Sequence, residues 1–178
     1  MNKLALIIAP LLLFTFGMAQ SRTCLRVMPV DEMIRGSIWI GRVKVRKVNK
    51  ANYRGSFGQL AILEVTETID GDSSVQERHV LAKSNVPCAA DMYEAKQEML
   101  VFLRPEDSLF RTMNFQYGEF QIIGGLVKGW RDKNNNSVDK PYAEVRKEIE
   151  EYLKALRNPQ LPIVPPPLPP KPKPAPPF

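Results

Sequence analysis

The chain has 178 residues, with 25 lysines and arginines against 19 acidic residues, two cysteines and a single histidine. That length gives room for one domain of ordinary size with its own core, and a formal charge of +6 favours anionic surfaces, acidic polysaccharide or lipid headgroups, without demanding them. One histidine excludes a histidine-based metal centre or proton relay, and Cys24 and Cys88 lack the CxxC spacing of redox work.

The opening stretch places Lys3 before an apolar run, Leu4 to Phe16, and then the small-residue site Gly17-Met18-Ala19. This is the pattern of a signal peptide over residues 1–19, with a mature chain starting at Gln20 and destined for secretion, the periplasm or the cell envelope. A membrane anchor fits less well, because the run is shorter than the roughly 20 residues a span needs and contains Pro10. Ser21-Arg22-Thr23 is a poor lead-in for a lipid anchor on Cys24. In an exported chain the two cysteines suit one disulfide, worth about 4 kcal/mol in the chain-entropy model for a loop of this size.

Asp31 to Ile34 can form one helical turn before Gly36 ends it. Ser37 to Val48 (SIWIGRVKVRKV) is the organising strand: apolar on both faces at its start, on one face later, with Gly41 at the change, as in a bent strand shared by two halves of a small barrel. Asn49 to Gly58 is a polar, glycine-bearing turn. Gln59 to Ile69 is a half-buried strand with Ala61, Leu63, Val65 and Ile69 on one face and Glu64, Thr66 and Thr68 on the other. Asp70-Gly71 is a turn, Gln76 to Lys83 a more highly charged strand, and Ser84 to Lys96 a loop holding Cys88.

Glu98 to Arg104 (EMLVFLR) is a continuous apolar run and the most buried strand, stopped by Pro105. Phe110 to Asn114 and Glu119 to Ile123 form a fifth strand with a turn, or a hairpin, before Gly124-Gly125. Pro141 to Leu156 is an amphipathic helix with Tyr142, Val145, Ile149, Tyr152, Leu153 and Leu156 on one stripe and Arg146, Lys147, Glu150 and Glu151 opposite, capped at Asp139. Residues 158–178 hold 11 of the 16 prolines and belong to neither sheet nor helix. As an extended polyproline tail they reach roughly 50–60 Å at about 3.1 Å per residue. PPPLPPKPKP has the PxxP-plus-basic form that aromatic grooves recognise, and in an exported protein a stiff spacer is the first reading.

The succession RGSIWIGRV, LAILEVTETIDGD, a loop with Cys88, and EAKQEMLVFLRP resembles the netrin-like module, the OB-type barrel shared with tissue inhibitors of metalloproteinases. Cys24 and Cys88 match that family's bridge between the amino-terminal segment and the loop before the fourth strand. Gly41 matches its strand-one glycine, Asp70-Gly71 its turn and Leu100 to Leu103 its late strand. The resemblance covers about Cys24 to Ile123 and implies a mainly β, five-stranded OB-like barrel over residues 20–157 with a C-terminal packing helix. The inhibitors chelate zinc through a cysteine at the mature amino terminus. Here Cys24 lies about four residues inside, and the other disulfides of the eukaryotic members are absent.

No HExxH, GxSxG elbow or phosphate-binding glycine loop is present, and His79 sits in a charged strand as a structural or surface residue. Asp132 to Ser137 begins like a calcium loop, but Ser137 stands at the sixth position and Ala143 at the twelfth, so Asp132 to Asp139 reads as a polar loop. Arg42, Lys44 and Arg46, followed by Lys47, Lys50 and Arg54, make a cationic face, with Trp39, Tyr53 and Phe57 near enough to stack on a ligand. The plain reading is a solvated face that discourages edge pairing; next comes a site for a protein or an anionic glycan. Export argues against nucleic acid. The sequence thus points to a monomeric, non-catalytic binding module that needs no metal or cofactor and has no transmembrane span once the leader is removed. Inhibition of a metalloprotease through the edge near Cys24 is the alternative.

Overall fold

The computed structural model describes residues 27–53, 56–83, 93–113, 115–132 and 135–158. Among them are two α-helices and eight strands: α1 (Val30–Gly36), β1 (Trp39–Tyr53), β2 (Ser56–Asp70), β3 (Glu77–Lys83), β4 (Glu98–Glu106), β5 (Leu109–Thr112), β6 (Glu119–Ile123), β7 (Leu126–Arg131), β8 (Ser137–Pro141) and α2 (Tyr142–Arg157). No helix among the described residues is long and apolar enough to cross a membrane. The leader, both cysteines, Arg54 and the proline-rich tail beyond Asn158 lie outside the described residues.

The protein is mainly β. Its strands are hydrogen-bonded in the order β1-β2-β3-β5-β4-β6-β7-β8, and β1 also pairs with β4. The first five therefore close on themselves in a ring, antiparallel throughout except where β3 meets β5 in parallel at Val80 and Phe110. The strand through Gly41 bends as its sequence suggests: the β1–β2 register shifts between Ile40 and Gly41, between Arg42 and Val43, and between Val45 and Lys47. Such bulges bend a strand and increase its twist, which is what carries β1 from β2 round to β4.

Two cores use opposite faces of the same two strands. Trp39, Val43 and Val45 of β1 and Met99, Val101 and Leu103 of β4 fill the ring with Ala61, Leu63, Val80 and Tyr93. Ile40, Leu100 and Phe102 point the other way, against α1, β6, β7 and α2. Burial on both sides explains the unbroken apolar run Met99 to Leu103, all buried. In the second core Phe102, Phe120 and Trp130 form an aromatic group with ring centroids 5.1 to 6.2 Å apart.

Several elements differ from the sequence reading. The polar stretch expected as a turn over Asn49 to Gly58 is instead a hairpin extension, paired out to Tyr53 and Ser56 with two residues between. Pro105 does not stop β4, because at the strand end it sits opposite Phe110 in the β5 hairpin, where a missing donor is tolerated. β5 and β6 occupy successive parts of β4, Leu103 to Glu106 and Met99 to Val101, separated by a 3₁₀ turn over Phe115–Gly118. β7 and β8 have no counterpart in the sequence reading. Their bulge between Val127 and Trp130, with Gly129 at φ +69°, makes the spacing of buried residues three instead of two and hides the strand period. Helix α2 buries Tyr142, Val145, Ile149 and Leu153, whereas Tyr152 and Leu156, assigned to the same stripe, are 45% and 43% exposed. Asp139 is not its cap: Asp139 accepts from Lys128 Nζ and from Gly129 N across the β7–β8 pair.

Candidate functional site

The cationic face of β1 is built as the alternation dictates. Val43 and Val45 turn into the ring, so Arg42, Lys44 and Arg46 turn outward, with Lys44 and Arg46 exposed. The neighbouring strands answer with carboxylates. Arg42 Nε lies 2.7 Å from Glu98 Oε1, Arg46 lies 2.8 Å from Glu77 Oε2, and Lys44 stands in register between Glu64 of β2 and Glu98 of β4. The hydrogen bond to Glu98 raises the Arg42 pKa further above its ordinary value. Charges matched in this way leave little net field to attract a polyanion.

Arg42 also lies over the ring of Tyr142, 4.8 Å from its centroid. The Tyr142 hydroxyl donates to Glu67 Oε2 at 2.8 Å, and Arg146 reaches the other Glu67 oxygen at 2.7 Å. Burial, then the Glu67 contact, holds the Tyr142 hydroxyl protonated well beyond the ordinary tyrosine range. The cationic end of the stripe therefore serves as the seat of α2.

Trp39 is not on that face. It is 1% exposed, lies inside the ring, donates through Nε1 to the Asp72 carbonyl at 3.2 Å and has the Arg78 guanidinium 5.2 Å from its ring. A tryptophan at the start of a strand buried on both sides belongs to the interior, so Trp39 stacks on no ligand at the outer face. Tyr53 ends β1 at the tip of the hairpin, remote from Arg42 along the strand. Arg54, Cys24 and Cys88 fall outside the described residues.

His79 is exposed beside Glu77, with Nε2 2.7 Å from Glu77 Oε1. The Glu77 carboxyl is held below its ordinary pKa chiefly by that contact. In the Asp132 loop, Asp132 accepts from Asn136 N at 2.8 Å and from Asn136 Nδ2 at 3.2 Å, while Asp139 is engaged by Lys128 and Gly129. Asp132 and Asp139 thus serve Asn136 and the β7–β8 pair. No group of three histidine, cysteine or acidic residues positioned to hold a metal occurs among the described residues.

One concavity among the described residues was not foreseen. A cleft of about 500 Å³ opens between the start of α1, the end of β7 and one face of α2; its walls include Pro29, Asp31, Trp130, Glu148, Glu151 and Tyr152. From α2 it takes Glu148, Glu151, Tyr152 and Ala155, the i, i+3, i+4, i+7 spacing of one helix face. The buried Trp130 forms its floor, with Nε1 donating to Glu148 Oε2 at 2.9 Å, and Lys140 holds the other Glu148 oxygen. Among the described residues the lining carries four carboxylates, Asp31, Asp132, Glu148 and Glu151, and one cation, Arg131. Among the described residues Asp31 and Glu151 have long, exposed partners, Arg35 at 3.7 Å and Lys147 at 3.9 Å, which bind weakly in water. Tyr152 adds an exposed aromatic ring beside them. The one sequence signal was that ring: set beside Glu148 and Glu151, Tyr152 marks a second, acidic helix face distinct from the buried stripe.

No protein-family model matches this chain, and no curated protein matches it significantly.

Proposed function

We propose that the chain is an exported, non-catalytic binding module, an OB-like ring that supports the α1–β7–α2 cleft, and that the cleft takes a cationic, proline-bearing segment of a protein partner. The observation that carries this reading is the chemistry of the cleft: an aromatic floor and wall with an acidic rim, in a molecule whose overall charge is positive. Aromatic-lined grooves accept polyproline segments, and acidic rims select those that carry lysine or arginine. The ring order β1-β2-β3-β5-β4, returning to β1, supports the OB-like assignment, since that barrel is a five-stranded Greek key. The apolar leader over Leu4 to Phe16 supports export. An anionic glycan on β1 is less favoured, because it would displace Glu98 and Glu77 from Arg42 and Arg46. Protease inhibition near Cys24 turns on residues outside those described.

A peptide of alternating lysine and proline, titrated against the mature protein, is the test. Binding should weaken with salt and fall by at least about tenfold in Tyr152→Ala/Glu151→Lys, as for the loss of an aromatic hot spot. It should survive Arg42→Ser/Lys44→Ser/Arg46→Ser. Binding that ignores the cleft substitutions would remove the site. Loss only in the triple variant would move it to the β1 stripe.

A further inference from the structure

We propose that the cleft is regulated by the chain's own C-terminal segment, Pro165 to Lys173, which docks there in cis and competes with the partner; this rests on the reading of the cleft as a binding site. Three observations carry it. The first is charge complementarity. The tail sequence PPPLPPKPK has Lys171 and Lys173 as its only charged residues, and the described lining of the cleft includes Asp31 and Glu151, whose cationic partners are distant and exposed. The second is surface chemistry. Prolines present a ridged apolar face with little conformational entropy left to lose, which suits the exposed Tyr152 ring.

The third is reach. Helix α2 ends at Arg157, whose guanidinium lies 2.5 Å from Asp70 Oδ1, so the tail departs beside the end of β2. The α2 wall of the cleft, Ala155 back to Glu148, spans about 10 Å at about 1.5 Å per residue. Thirteen residues separate Asn158 from Lys171, about 40 Å of extended chain at about 3.1 Å per residue. That length is about four times the α2 wall, so the segment can turn back and reach the whole cleft. Docked there, its prolines would lie against Tyr152 and its lysines near Asp31, whose Arg35 partner is distant. Glu151, whose Lys147 partner is distant, offers a second anchor on the way.

Tethering sets the magnitude. A short tether holds its end at an effective concentration of about 1 mM, so a segment that binds as a free peptide with a Kd of about 0.1 mM occupies its own cleft about nine-tenths of the time. A competing ligand then binds about tenfold more weakly than to an open cleft.

The experiment titrates the same alternating lysine–proline peptide by calorimetry against the full mature chain, its Lys171→Glu/Lys173→Glu variant and its Lys171→Arg/Lys173→Arg variant. The glutamate variant should bind the peptide about tenfold more tightly than the unaltered chain, and the arginine variant should match the unaltered chain. The Trp130 indole N–H resonance should shift between the glutamate variant and the other two. Equal affinity in all three chains overturns tail docking while leaving the cleft as a binding site. Failure of the peptide to bind even the glutamate variant overturns the cleft itself. A tenfold difference that disappears when the protein is diluted would assign the occupant to a second copy's tail and overturn docking in cis.

Discussion

Replacing Gly41 with alanine tests the placement of Trp39 inside the ring. A Cβ there would stand 2.4 Å from the Glu67 carbonyl oxygen and 2.4 and 2.7 Å from Trp39 Cη2 and Cζ2, where ordinary contacts are 3.4–4 Å. About 1 Å of displacement is needed on each side, and neither neighbour can give it. The Glu67 carbonyl is backbone within the β1–β2 ladder. Trp39 is closed in from the far side by Gly71, whose own Cβ would be 2.9 Å from Trp39 Cδ1, and is bonded through Nε1 to the Asp72 carbonyl. Overpacking a core costs about 1–3 kcal/mol, and two immobile neighbours place this case at the upper end. Restricting the unfolded chain returns about 0.4–1 kcal/mol, so the net loss should be about 2 kcal/mol. With a urea slope of about 2 kcal/mol/M, the midpoint should fall by roughly 1 M. Gly36→Ala is the control. Its Cβ would meet Met113 Cε at 2.4 Å, but that atom ends a flexible side chain, and alanine favours the helix by about 1 kcal/mol. Its midpoint should change little. A Gly41→Ala protein as stable as the parent, or less perturbed than Gly36→Ala, would refute the packing of Trp39 against Gly41.

Ile149→Ala should cost about 2–5 kcal/mol because Ile149 is fully buried, while Leu156→Ala on the exposed flank should stay within about 0.5 kcal/mol; urea midpoints of the two variants separate the buried stripe from the stripe read from sequence. Tyr142 has its pKa raised from 10.0 by burial and then by Glu67, so the unfolded state loses this proton first as pH rises. The stabilisation is therefore complete below about pH 10 and is lost above it, and Tyr142→Phe should flatten the alkaline limb of stability measured between about pH 9 and 11. Glu77 behaves in the opposite sense: its lowered pKa, from the His79 hydrogen bond and then Arg46, gives stability present above its ordinary 4.5 and lost as pH falls through the folded-state value. Glu77→Gln should make the acid limb less steep.

What the sequence revealed follows from where two faces differ. β4 was legible because an apolar run on both faces can only be a doubly buried strand, and β1 because its burial changes at Gly41. The hairpin tip beyond Val48 was read as a turn because its residues are polar on both faces, and polarity alone does not distinguish an exposed ribbon from a loop. β7 was hidden by Gly129, which carries Trp130 to the buried side one position late. The cleft was illegible for a different reason: Asp31 lies 99 residues before Trp130 and 121 before Tyr152, and no local pattern records their meeting. The charge balance of the cationic stripe was hidden in the same way. Its neutralising partners, Glu77 and Glu98, belong to other strands.

Helix α2 joins the ring to the cleft because it carries three faces with separate duties. Val145, Ile149 and Leu153 bury it in the second core. Tyr142 and Arg146 tie its first turns to Glu67 and, through the Tyr142 ring, to Arg42 on β1. Glu148, Glu151, Tyr152 and Ala155 then face the cleft. The polar tethers contribute far less than the apolar stripe, because Arg146 is exposed and its ion pair is screened by water. Their value is rotational. A helix held by its buried face alone could roll by the few degrees that apolar packing tolerates, whereas bonds to two fixed strands define its azimuth. The same azimuth puts Glu148 within reach of both Trp130 and Lys140. The cationic residues that first suggested a binding face thus act one step removed, by fixing the helix that forms the cleft wall.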